Sequence, residues 1–351
     1  MNNADLATDT SRKWITIWLF TGCAMVMAMV IIGGITRLTG SGLSITEWNV
    51  VMGTLPPQNE ADWQVEFEKY KASPEFIKVN HFMQLADFKE IFWWEYLHRL
   101  VARIIGFVFI IPFIFFLIKG WVNKRLLWRL ILIFFLGGFQ GFLGWYMVKS
   151  GLVDNPHVSQ YRLTAHLISA FSLCLVIFWV ALEILNPIKD LSKNYSLKWR
   201  NIYLGLTSIC LLQIGFGGLV AGLKAGYAFP TFPLMQGEFF PSSFFDRTPV
   251  WKNFFENHFT VQFVHRWLGI IVATLVLWAW FGIKKSELTN DQKLGPKFAT
   301  GMVILQILMG IGTLLLHIPI WLAVAHQAGA LILLIILIYC NFHFSRSRYS
   351  V

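Results

Sequence analysis

Long apolar runs separated by short polar turns set the pattern of this chain. Eight runs reach the roughly 20 residues that a helix needs to cross a hydrocarbon core. They cover 14–35, 93–118, 127–148, 163–185, 201–222, 259–282, 298–316 and 322–343. A long polar loop, 36–91, separates the first run from the second and carries the turn-rich segment Gly53-Thr-Leu-Pro56-Pro57. From Asn59 onward, Trp63, Phe67 and Tyr70 recur at helical spacing, which predicts a short amphipathic helix. Such a helix either lies on the membrane surface or staples the loop to the structure beneath it.

The second half of the chain retraces the first. Gly217-Gly218 aligns with Gly33-Gly34 at an offset of 184, which also pairs Gly226 with Gly42, Gly237 with Gly53 and Pro241 with Pro57. His265 matches His98 at 167, Gln306 matches Gln140 at 166, and His326 matches His166 at 160. Offsets that drift only at loops are the mark of a duplicated four-span unit. Four spans are an even number, so both copies keep one orientation. The expectation is an all-α integral membrane protein whose eight transmembrane helices form two parallel-repeat four-helix bundles. Its segments are an N-terminus (1–13), a first repeat (14–185), a linker (186–200), a second repeat (201–343) and a C-terminus (344–351).

Composition agrees with this frame, at 56% hydrophobic and only 14% charged residues. A net charge of +10 is of the size found in nucleic-acid-binding proteins, but its distribution argues otherwise. Basic residues crowd the turns on one side: Arg12 and Lys13, Lys119 to Arg129, Lys189 to Arg200, Lys284 to Lys297, and Arg346 and Arg348. This asymmetry places both termini in the cytoplasm and removes nucleic acid from consideration. Cys23, Cys174, Cys210 and Cys340 all fall in the runs, so they read as buried apolar residues without a disulfide. The N-terminal segment has acids before Arg12 and no cleavage-site pattern, so the first run reads as a retained anchor.

Five histidines, His81, His157, His258, His317 and His343, sit in loops or at span ends and read as solvated or capping residues. His98, His166, His265 and His326 differ, each falling in the first turns of an even-numbered span on the outer side. Four equivalent histidines in two repeats point to a ligand set. Two neutral imidazoles from facing helices suit an iron porphyrin held axially in an apolar slot. Both pairs lie near one face, which disfavours an electron conduit across the bilayer.

Arg99 and Arg266 follow two of these histidines and either pair with porphyrin carboxylates or snorkel to the interface. Glu95 stands three residues before His98, on the same helix face. Gln262 takes its place in the second half. A carboxylate beside a porphyrin edge can stabilise developing positive charge or move protons; alternatively Glu95 is an interfacial acid paired with Arg99 or Arg103.

The chain resembles haem A synthases through Gly-Gly-Ile-Thr-Arg-Leu-Thr-Gly-Ser-Gly-Leu-Ser (33–44), Glu-Tyr-Leu-His-Arg (95–99), Gly-Trp-Tyr-Met-Val-Lys-Ser-Gly-Leu (144–152) and Ser-Gln-Tyr-Arg-Leu-Thr-Ala-His (159–166). The second half carries Gly-Gly-Leu-Val-Ala-Gly-Leu-Lys-Ala-Gly (217–226), Val-Gln-Phe-Val-His-Arg (261–266) and Ala-His-Gln-Ala-Gly-Ala (325–330). The resemblance implies that His98 and His166 bracket a substrate haem O, that His265 and His326 hold a resident haem B, and that Glu95 is the catalytic acid. It implies oxidation of a ring methyl to a formyl through hydroxylated intermediates, giving haem A for terminal oxidases. The absence of paired outside-loop cysteines makes the chain similar to the branch shared by proteobacteria and mitochondria. A multi-pass protein of the bacterial inner membrane is implied. So are an electron-transfer partner and contact with the farnesyltransferase that makes haem O. A homo-oligomer is compatible with the sequence. The other readings are a membrane electron-transfer protein with two haem B groups, which would have equivalent pockets, and a parallel-repeat transporter with a polar cavity.

Overall fold

A computed structural model describes residues 9–47, 55–153, 156–186, 196–240 and 242–345. The sequence features at Gly53, Asp154, Asn155, Lys189, Lys193, Pro241, Arg346 and Arg348, with most of the linker, lie outside the described residues. Eight helices are long and apolar enough to cross a membrane. They are α1 (Asp9–Leu38), α2 (Leu85–Ile118), α3 (Lys124–Lys149), α4 (Gln160–Leu185), α5 (Leu197–Gly222), α6 (His258–Lys284), α7 (Asn290–Leu315) and α8 (Ile320–Ser345). Among the described residues there is no sheet, only an isolated bridge between Met235 and Glu238.

Two helices begin well before their apolar runs, and each does so at a cap. The N-terminus of α2 is closed by a reciprocal box between Gln84 and Asp87, and that of α7 by one between Thr289 and Gln292. These boxes satisfy donors that would otherwise be orphaned at a helix start. An apolar run marks where lipid begins; a cap marks where the helix begins. His98 consequently lies more than three turns into α2, whereas His166, His265 and His326 are six or seven residues from their helix starts. Counted from its helix start, His98 is therefore deeper than the other three, because α2 begins eight residues before its apolar run.

That upward extension receives the amphipathic helix, Glu60–Lys71, whose start is capped by Asn59 accepting from the Asp62 amide. Trp63, Phe67 and Tyr70 are buried against Phe88, Ile91 and Phe92 of α2. Trp63 meets Phe92 edge-on at 5.0 Å and Tyr70 stacks on Phe88 at 5.1 Å. Of the two placements open from sequence, the structure takes the staple.

The core lies where α1, α4, α5 and α8 meet, and all four cysteines are free and buried. Small residues set the close approaches. A Cβ at Gly34 of α1 would lie 3.2 Å from Val324 of α8, and one at Gly218 of α5 would lie 2.8 Å from Thr164 of α4. Gly34 and Gly218 are repeat partners at offset 184, and Thr164 and Val324 at 160. The same glycine receives the fourth helix of the other half in both copies. One asymmetry breaks this pattern: α6 and α7 pack along their length, while their counterparts α2 and α3 touch only slightly. His343, expected at a solvated end, is instead buried near the end of α8 beside Tyr339.

Candidate functional site

Each of the four selected histidines rests on a glycine of the preceding long helix. A Cβ at Gly33 would come 3.2 Å from His98 Nε2, and one at Gly144 would come 3.4 Å from His166 Cε1. In the second half, a Cβ at Gly217 would come 3.0 Å from His265 Cε1, and one at Gly310 would come 3.1 Å from His326 Cε1. At Gly33, Gly217 and Gly310 an added Cβ would press on the ring, which would have to give by a few tenths of an ångström, while at Gly144 it would make ordinary contact.

Glutamines hold three of these histidines from behind. Gln140 Nε2 donates to the His166 carbonyl at 3.2 Å, and Gln213 Nε2 donates to the His265 carbonyl at 2.8 Å. With its amide oriented to satisfy both ends, Gln306 donates to the His326 carbonyl at 3.1 Å. His265 Nδ1 also lies 3.2 Å from the Gln213 carbonyl oxygen, which as an N–H donor leaves Nε2 with a free lone pair. His98 has no such glutamine, because Met29 stands 184 residues before Gln213.

His265 and His326 enter a cavity of about 260 Å³ lined mainly by second-half helices. Their ring centres are 6.5 Å apart with planes at 88°. An imidazole nitrogen binds a first-row metal at about 2.0–2.1 Å, with the ring centre roughly 1.1 Å behind it, so two axial rings on one metal sit about 6.3 Å apart. The spacing therefore admits one iron between the rings.

Glu95 and Gln262 have unlike surroundings, and each governs the arginine four residues on. Glu95 is buried and accepts from Ser44 Oγ and the Ile45 amide, both at 2.8 Å. Its other oxygen accepts from Arg99 Nε at 3.0 Å and Nη2 at 2.6 Å. Arg99 also donates to the carbonyls of Ile45 and Glu47, so its guanidinium is committed to protein acceptors. Gln262 cannot form that ion pair. Its Nε2 and Arg266 Nη2 both donate to the Phe229 carbonyl, at 3.2 and 2.8 Å. Arg266 is left with Nε and Nη1 buried and without a protein partner, beside the cavity that His265 and His326 enter. A buried guanidinium with unmet donors is costly and suits an acidic ligand. The glycine cradles, the ring spacing and this arginine together fit a haem.

A model of the COX15-CtaA family, cytochrome oxidase assembly proteins, matches residues 16–338. The chain belongs to that family. A Nitrosospira multiformis protein named heme A synthase is 50% identical over 336 residues, covering 95% of this chain and 94% of its own. One of that name from Nitrosomonas eutropha is 46% identical, covering 91% and 90%. Another, from Flavobacterium psychrophilum, is 46% identical, covering 96% and 99%.

In this COX15-CtaA chain the two halves also differ along their third helices. Gly137, Gly138 and Gly141 of α3 face open space. At offset 166 the second half has Val303, Ile304 and Ile307. The glycines lie on the helix that α2 barely touches. Above this half, the stapled loop buries Glu75, whose carboxylate accepts from the Tyr70 hydroxyl at 3.1 Å. Burial pushes the Glu75 carboxyl up to about 7, with the Glu95 charge acting the same way and Tyr70 and Lys224 opposing.

Sequence reasoning singled out the four histidines, Glu95, Arg99 and Arg266, but not Gln213 or the Gly310 cradle. The offset-184 comparison could have found the contrast between Gln213 and Met29. Nothing local marks Gly310 among the chain's 27 glycines.

Proposed function

We propose that this chain is a haem A synthase, oxidising a ring methyl of haem O to a formyl group through hydroxylated intermediates, with haem A as product for terminal oxidase assembly. In this reading His98 and His166 bracket haem O in the first half, and His265 and His326 hold a resident haem B in the second. When bound, haem B supplies a redox-active iron. The protein's own residues orient, exclude water and place charge. The glycine cradles let the rings reach a flat ligand; Gln140, Gln213 and Gln306 fix three of those rings through their backbones.

The observation that carries the assignment of roles is the exchange of Glu95 for Gln262. With Glu95 the first half keeps a buried carboxylate one helical turn from His98, near where positive charge would develop on the oxidised ring carbon. With Gln262 the second half gives up that charge and frees Arg266 for a haem carboxylate. Arg99, bonded within the protein, instead ties the 44–47 segment to Glu95. The glycine face of α3 supports the same division, because haem O carries a farnesyl chain that Val303 and Ile307 would obstruct in the second half. Two sites so unlike do not favour a simple electron-transfer protein with equivalent haems. The reading extends to a bacterial inner-membrane protein with both termini cytoplasmic, an electron-transfer partner, and contact with the haem O farnesyltransferase.

The test is expression in a host that makes haem O and has no other synthase, with extracted haems identified by mass spectrometry. The wild-type chain yields haem A, and Glu95→Ala accumulates haem O or a hydroxylated intermediate. Undiminished haem A from Glu95→Ala would remove the catalytic role of Glu95.

A further inference from the structure

One wall of the second-half cavity comes from the first half. Arg37, in the last turn of α1, lines the cavity that His265 and His326 enter. Its Nη1 donates to the Ala221 carbonyl oxygen at 2.7 Å. Ala221 is the residue that occupies the position of Arg37 in the second repeat, at offset 184. One copy supplies a cation here, and the other supplies the space and the carbonyl that receive it.

The charge balance of the cavity is one-sided. Arg37, Lys224 and Arg266 line it, and no Asp or Glu does so among the described residues. Arg37 Nε is buried without a partner, as are Nε and Nη1 of Arg266. Guanidinium donors are not left buried and unmet without cost, and two arginines so placed match a ligand bearing two carboxylates.

We infer that Arg37 binds a carboxylate of the haem held by His265 and His326, so that the first repeat completes the binding site of the second. The inference rests on the reading that this cavity holds haem B. It gives the 33–44 segment a second task. Gly33 abuts His98, Thr36 Oγ1 donates to the Trp94 carbonyl at 3.2 Å, and Ser44 donates to Glu95. Between these first-half contacts, Arg37 points to the other site. A segment that reads as a first-half signature is a strap touching both.

Full-length protein carrying Arg37→Gln, Arg37→Lys or His265→Ala is purified beside wild type. Haem B is quantified by extraction, and the midpoint potential of the retained haem is titrated. Loss of a nearby cation favours the ferric state. Arg37→Gln should therefore carry severalfold less haem B, and what remains should titrate at a lower potential. Arg37→Lys, which keeps the charge, should stay close to wild type in potential. If Arg37→Gln does not accumulate, Arg37→Leu repeats the measurement. Equal haem B content and potential in the neutral variants and wild type, with the signal lost in His265→Ala, overturns the role of Arg37. So does a Lys variant whose potential falls as far as that of Gln. A wild-type protein with no haem B dependent on His265 overturns the underlying reading instead.

Discussion

The contrast between Glu95 and Gln262 works through their arginines. Glu95 neutralises Arg99 in a buried pair at 2.6 Å, and removing one partner of such a pair typically costs about 3–5 kcal/mol. The neutral counterpart leaves Arg266 with donors to spare. The Gln262→Glu substitution would therefore build a second ion pair four residues apart and withdraw Arg266 from the haem carboxylate proposed for it. Losing a charge-assisted bond is worth about 1.5–3 kcal/mol, so haem B retention should weaken by about ten- to a hundredfold, read from extracted haem per protein. Unchanged retention would show that Arg266 does not hold the haem. The cradles allow a second check. Gly217→Ala would place a methyl 3.0 Å from His265 Cε1, an overpacking cost of about 1–3 kcal/mol. It should broaden or deplete the haem B absorption bands. Gly138→Ala meets nothing within 4 Å and should leave them unaltered.

At the scale of elements, the stapled helix Glu60–Lys71 carries a pH dependence. Glu75, next to it, has its carboxyl raised to about 7 by burial. A carboxyl raised in the folded state binds protons more readily when folded. The loop's stability is therefore greatest at low pH, falls as pH rises from the usual carboxyl range through about 7, and is level above that. Hydrogen exchange of the 60–71 amides, corrected for intrinsic rates, should show protection falling severalfold from pH 5.5 to 7.5. In Glu75→Gln that slope should vanish; a slope that persists would assign the effect to another group. The elements also show where sequence was sufficient. Eight apolar runs announced eight helices because hydrocarbon leaves the backbone no other partner. The starts of α2 and α7 were not visible in hydropathy, because Gln84, Asp87, Thr289 and Gln292 act through capping bonds and not through burial.

Across the whole molecule, duplication made the four histidines legible, because offsets of 160 and 167 repeat along the chain. What stayed hidden depends on contacts between the copies. Arg37 reads as part of the first repeat, yet its bond to Ala221 carries it into the second. Arg99 and Arg266 look equivalent in sequence and differ only once their partners are known. On the proposed reading the molecule holds two haem sites of common origin, one keeping the buried acid Glu95 and the other lined by Arg37, Lys224 and Arg266 without an acid among the described residues. The most direct test is which porphyrin each histidine retains. Full-length His98→Ala, His166→Ala, His265→Ala and His326→Ala proteins are purified from cells making haem B and haem O, and their bound haems are identified by mass spectrometry. The first two should lose haem O and its oxidised products while keeping haem B, and the last two should lose haem B. Loss of the same porphyrin from both pairs would contradict the division of the molecule into a reacting half and a holding half.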